Sequence, residues 1–198
     1  MQVTTLEFKR NAARALADAQ LQTALGGLHD RFVKARATAL ADLGHTEEWR
    51  RRAEAIRDRA LAALDVYLER FEQAARTAGA EVHWAADAQA ANQILLDVAR
   101  RHGVQRVVKS KSMVSEECGV NDALEAAGLQ VTETDLGEYI LQLAHEPPSH
   151  IVAPVVHKSK DEVSDLFERA HGTARKTGID ALCREAREVL RPRFLDAD

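Results

Sequence analysis

The sequence predicts an α/β protein in which an N-terminal long-helix region precedes a mostly parallel sheet with flanking helices. Three observations carry the prediction. Apolar residues up to residue 78 recur in steps of three and four, the spacing of one helical face. After residue 80, short β-leaning runs alternate with helical patterns. The crossovers between those runs are about a dozen residues or more, long enough for the helical connections that parallel strands need. Two regions follow from this: a helical arm at 1–79 and a partial α/β domain at 80–198.

In the arm, Leu21, Leu25, Leu28, Phe32, Ala35 and Ala39 form a first apolar stripe, with Gly26-Gly27 marking a bend or break. Thr46 is placed to cap the next helix, and Glu47 and Glu48 suit the positive end of its dipole. Trp49, Ala53, Ile56, Ala60, Leu64, Tyr67, Phe71 and Ala74 then make one stripe on one long helix, which Gly79 ends. Packing of helix on helix is the ordinary account of both stripes, and a docking surface for a partner subunit is the alternative. Arg50-Arg51-Arg52 sits among glutamates and reads as a solvated helix face rather than a phosphate-binding patch.

In the second region the predicted strands are Glu81–Ala85, Gln105–Lys109, Gln130–Glu133 and His150–Pro154. Between them the spacing predicts helices at Asp87–His102, Ser115–Ala127 and Leu136–Ala144, the first two closed by Gly103 and Gly128. Helices at Lys160–His171 and Ile179–Leu190 follow, with Pro192 as a stop. Four short strands trailed by two helices make an unfinished sheet.

Composition narrows the function classes. Hydrophobic residues make up 45% and charged residues 29% of 198, enough apolar material for a core. Net charge is -4, which argues against an electrostatic grip on nucleic acid or an anionic membrane. No apolar run is long enough to span a membrane, and Met1 to Arg10 carries no apolar signal core. Cys118 and Cys183 are remote from each other and form no CxxC pair. Together these features predict a cytoplasmic setting.

Three segments carry candidate chemistry. The first is Val107-Val108-Lys109-Ser110-Lys111-Ser112-Met113-Val114-Ser115-Glu116-Glu117, where a strand ends and a helix begins. Ligands of open parallel sheets bind beyond the carboxyl ends of strands, where helix N-termini also point. Two lysines and three serines there can hold a phosphate or carboxylate, although Glu116 and Glu117 would repel one. A plain strand-to-helix turn is the competing reading. The second segment is Glu133-Thr134-Asp135-Leu136-Gly137-Glu138-Tyr139, whose carboxylates suit acid–base work or balance the lysines. An N-cap by Asp135 beside exposed acids accounts for it equally well. The third is His145-Glu146-Pro147-Pro148-Ser149-His150 with His157-Lys158. Its histidine spacing matches no metal finger, so hydrogen bonding by His150 or His157 at the sheet rim is expected instead. Both cysteines lie among apolar residues and read as small buried hydrophobes. The candidate binding set is Lys109, Ser110, Lys111, Ser112, Glu116, Asp135, Glu138 and His150, with no metal ligands and no assigned catalytic residue.

The same three segments resemble the lactate-utilisation iron–sulfur protein B family. Those carrying the resemblance are Val107–Glu117, Glu133–Leu143 and Glu146–Pro154 with His157-Lys158, in family order and spacing; the long N-terminal helices and Arg191-Pro192-Arg193-Phe194-Leu195 fit as well. The resemblance covers essentially the whole chain and implies a CoA-transferase-like sheet-and-helix domain. It also implies a part in the cytoplasmic oxidation of L-lactate to pyruvate, with electron transfer alongside companion subunits. Family chains run on past the equivalent of Asp198 into more strands and cysteine clusters that hold [4Fe-4S] centres. Two remote cysteines cannot supply such ligands, so this chain is expected to bind no cluster and to show no independent turnover. Cys118 stands where the family is expected to have an aliphatic residue. Two other functions stay open: an assembly module that docks partner subunits, and a small-anion or CoA-like ligand-binding domain.

Overall fold

Residues 5–149 and 153–198 are described by the computed structural model, and their contacts divide into two units. One unit joins the residues up to Gly27 with Ala85–Asp198; the other is Leu28–Trp84.

The first described elements are a 3-10 turn at Thr5–Glu7, α1 (Phe8–Ala17) and α2 (Ala19–Leu28). Gly26 and Gly27 do not break α2. The irregularity falls just after them, as one wide π turn at His29–Val33 leading into α3 (Lys34–Leu43). Helix α4 covers Thr46–Ala62, and its N-cap is His45, in the left-handed region at φ 45°, rather than Thr46. The single long helix expected from the stripe is two, because Ala63 leaves helical geometry (φ -133°, ψ 34°) before α5 (Leu64–Thr77) begins. Gly79, at φ 91°, ends α5 with paired bonds from Gly79 N to Arg76 O and from Ala80 N to Ala75 O. None of α1 to α5 has a fully buried residue among those described; Leu21, Leu28 and Ala60 are partly buried, so helix-on-helix packing covers the stripes only in part.

Residues 81–85 form no strand. They fold back on α5 instead, where Arg76 donates to Val82 O and Trp84 Nε1 donates to Glu72, both at 2.9 Å. Helix α6 (Ala88–His102) is capped by Asp87, which accepts from Ala90 N. The expected helix at Ser115–Ala127 is two: α7 (Met113–Glu117) and α8 (Val120–Ala126), parted by Gly119 at φ 65°. Strands β1 (Arg106–Lys109) and β2 (Gln130–Glu133) pair in parallel, Arg106 opposite Gln130 and Lys109 opposite Glu133. Helices α9 (Leu136–Ala144), α10 (Lys160–His171) and α11 (Ile179–Leu195) complete the chain. The last runs through Pro192 rather than stopping before it. A proline removes one N–H but keeps helical φ, and Asp196 N bonds to Pro192 O at 2.8 Å.

The sheet has two strands among the described residues, not four. Of the expected strand His150–Pro154, residues 150–152 lie outside the described ones; Pro154 is in a turn and its carbonyl accepts from Ser149 N and Oγ. Side chains occupy both outer edges of the pair. Gln142 accepts from Glu133 N at 3.1 Å and donates to Val131 O at 2.8 Å. Asp198 accepts from the backbone N–H of Gln105 and Arg106, each at 2.8 Å, and those bonds hold its carboxyl below the usual carboxylate range. Such groups meet the hydrogen-bond need of an open strand edge.

Two apolar clusters hold this unit together. One joins Val120, Leu124 and Val131 with Leu96, Val107 and Cys118 on one sheet face. The other joins Tyr139, Ile140, Leu166, Phe167, Leu182 and Ala186 across α9, α10 and α11. Phe167 is 1% exposed, and burial of a side chain that size contributes about 2–3 kcal/mol.

Candidate functional site

Parallel pairing aligns the carboxyl ends of β1 and β2, so Lys109 and Glu133 face each other at the same level. Lys109 Nζ lies 2.5 Å from Glu133 Oε1, 3.3 Å from Glu116 Oε1 and 3.3 Å from Ser115 Oγ. Three acceptors for three ammonium hydrogens leave that lysine satisfied. Both partners are withdrawn from water, Lys109 at 14% side-chain exposure and Glu133 at 3%. Glu133 Oε1 also accepts from Asn121 Nδ2 at 2.8 Å. Glu133 Oε2 and Asn121 Oδ1 are buried with no hydrogen-bond partner among the described residues.

Lys111 pairs with Glu138 on α9. Glu138 is buried, while the Lys111 side chain keeps 21% exposure. With Glu138 as its one acceptor among the described residues, two of its N–H groups are left for another anion. Asp135 is the N-cap of α9, its Oδ1 accepting from Gly137 N at 3.0 Å and Glu138 N at 3.3 Å. Gly137 is required at that turn, since a Cβ there would lie 2.9 Å from Pro154 Cγ. Ser112 caps α7 by accepting from Ser115 N, and Ser110 is exposed on the connecting loop.

Of the eight candidates, Lys109 and Glu116 meet in one cluster and Lys111 and Glu138 in another. Ser112 and Asp135 serve as helix caps, and His150 lies outside the described residues. Glu133 and Ser115 belong to the cluster although they were not in the candidate set. Strand parity carries the signal for Glu133: it shares a face with Val131, and an acid on a core face needs a cation opposite.

The histidine-rich segment is a hydrogen-bonded loop. His157 bonds Ser149 Oγ through Nδ1 and Glu146 through Nε2, both at 2.8 Å, and Lys158 reaches Glu146 at 2.7 Å. Partial burial pushes the Glu146 carboxyl up, but the Lys158 and His157 bonds outweigh it and hold the group below its ordinary value. His145 caps α9 in the left-handed conformation. No set of three or more potential metal ligands gathers among the described residues. Cys118 and Cys183 are both half-buried, on different elements. A cleft of about 460 Å³ runs along β1 and β2 beside Pro192 and Arg193, and neither Lys109 nor Lys111 lines it.

A model of the LUD domain family matches residues 68–198. Lactate utilization protein B of Bacillus velezensis is 41% identical over the entire chain, that of Geobacillus kaustophilus 42%, and that of Bacillus subtilis 39%. The chain spans 42% of the length of each. No solved structure matches it.

Proposed function

The chain belongs to the LUD domain family, and from that premise we propose that it is the N-terminal part of an iron–sulfur protein that takes part in L-lactate oxidation to pyruvate. In this reading electrons pass onward within a multi-subunit lactate-utilisation system in the cytoplasm. The observation that carries it is similarity along all 198 residues to proteins named for lactate utilization. No helix of the described residues is long and apolar enough to cross a membrane, which is compatible with this reading.

The lysine–carboxylate groups at the strand ends supply the chemistry of a small-anion site. Lys109, held by Glu133, Glu116 and Ser115, is the pillar that fixes the loop. Lys111 is the group with donors left among the described residues for a carboxylate, and an incoming anion would share it with Glu138. The two cysteines of this chain, Cys118 and Cys183, do not fit an iron–sulfur cluster, which needs sets of closely spaced thiolates.

Deleting the gene in its host, with growth followed on L-lactate and on pyruvate, tests the reading. Growth lost on L-lactate alone and restored by the gene supports it. Undiminished growth on L-lactate refutes it. A second reading, an assembly module, is favoured by the exposed side chains Trp49, Ile56 and Phe71 on α4 and α5.

A further inference from the structure

Helix α4 carries a surface with a definite charge pattern. At 100° per residue, Trp49, Ala53, Ile56 and Ala60 fall on one face. Arg50 and Arg57 border that face on one side, and Arg52 and Arg59 on the other; Glu47, Arg51, Glu54 and Asp58 occupy the far side. Trp49 is 48% and Ile56 56% exposed, and all four bordering arginines are exposed. The Arg52 guanidinium stands 4.9 Å over the Trp49 ring, so the rim is drawn up beside the seam.

The alternation of large and small seam residues suits one helix laid along another, because Ala53, between Trp49 and Ile56, and Ala60, beyond Ile56, let a partner backbone approach. The positions that border such a seam set partner choice by charge, and here all four are arginine. A second copy pairing through this seam would set arginine against arginine. A membrane reads the summed charge, and α4 carries five arginines against four acids, nearly neutral. We propose that the α4 seam docks an acidic amphipathic helix of a partner protein, one whose own apolar seam is bordered by Asp or Glu. The exposed Leu64, Tyr67 and Phe71 of α5, the next helix of the same unit, are further apolar side chains open to such a partner. At roughly half exposure of side chains of about 150–250 Å², these five large residues offer about 400–600 Å² of the ~800 Å² that a standard interface buries per partner, and the bordering arginines would supply the rest.

The test uses the 198-residue chain and two labelled peptides of about four heptads with a leucine seam. One has Glu at every bordering position and the other Lys. Fluorescence anisotropy is expected to show the Glu peptide bound at least about tenfold more tightly, with the preference lost in about 0.5 M salt. Replacing all four bordering residues (Arg50→Glu, Arg52→Glu, Arg57→Glu and Arg59→Glu) is expected to reverse the preference, and Arg51→Glu on the far side to leave it. Circular dichroism checks that each variant stays helical; where the fourfold variant does not, Arg52→Glu with Arg59→Glu carries the same expectation of a weakened preference. Equal affinity for both peptides overturns the proposal. So does self-association of the chain, by sedimentation equilibrium, that Ile56→Asp abolishes, because the occupant is then a second copy.

Discussion

Replacing Lys109 by Met keeps most of the side chain's volume and removes its charge. Glu133, at 3% side-chain exposure, then keeps only Asn121 as partner to its Oε1, and its Oε2 has none already. Removing one member of a buried ion pair costs about 3–5 kcal/mol, because the remaining charge is left in a poorly solvated place. In a chain of this size 1 kcal/mol corresponds to roughly 2–4 °C, so Tm should fall by roughly 6–20 °C. Circular dichroism across a thermal scan and a urea titration measures both quantities. The double variant Lys109→Met with Glu133→Gln removes the stranded charge and should recover more than half of the loss. Charge burial then accounts for the cost, since the two single changes do not add. A fall of under about 2 °C for Lys109→Met, or no recovery in the double variant, would refute the reasoning. Water would then screen the pair, and the lysine would be available to a ligand after all.

Three further outcomes are expected. Burial raises the Glu185 carboxyl, but bonds from Thr173, His171 and Lys176 outweigh it and hold the group below its ordinary value. A depressed folded value means that this stabilisation is present above the unfolded carboxyl range, about pH 4.3, and is lost as pH falls through the folded value. Glu185→Gln should therefore cost about 2–3 kcal/mol at pH 7 and flatten the acid side of a stability–pH curve followed by urea unfolding. Gly137→Ala forces a methyl group toward Pro154 and should cost about 1–3 kcal/mol in the same assay. Millimolar L-lactate, pyruvate or phosphate should raise the Tm of the wild-type chain and leave that of Lys111→Ala unmoved; a cooperative wild-type transition that none of the three shifts counts against the anion site.

Much of the α/β unit was legible from local signals. Gln130–Glu133, Leu136–Ala144 and Lys160–His171 begin and end where apolar spacing and caps place them. Capping residues act on their own helix, so Asp135 and Gly103 could be read without knowing the fold. Glu81–Ala85 misled because Val82 and Trp84 are held by Arg76 and Glu72 of α5, a contact no local pattern announces. Pro192 misled because a helix continues through proline when later bonds resume. At the site, the residue types at the strand ends were readable and the pairing was not. Nothing local says that Lys109 takes Glu133 and Glu116 while Lys111 takes Glu138.

By itself the sequence determined the periods: helix, strand, cap and turn, and the family through its long motifs. Those properties rest on forces acting over a few residues, and the chain order carries them directly. Only the tertiary structure decided which charges are buried together, which glycine faces a proline ring, and which apolar stripe stays bare. Each depends on residues far apart in the chain being brought within a few ångströms, where burial strengthens a charge pair or strands one. The bare α4 seam shows the difference: its stripe was plain in the sequence, and its exposure was not.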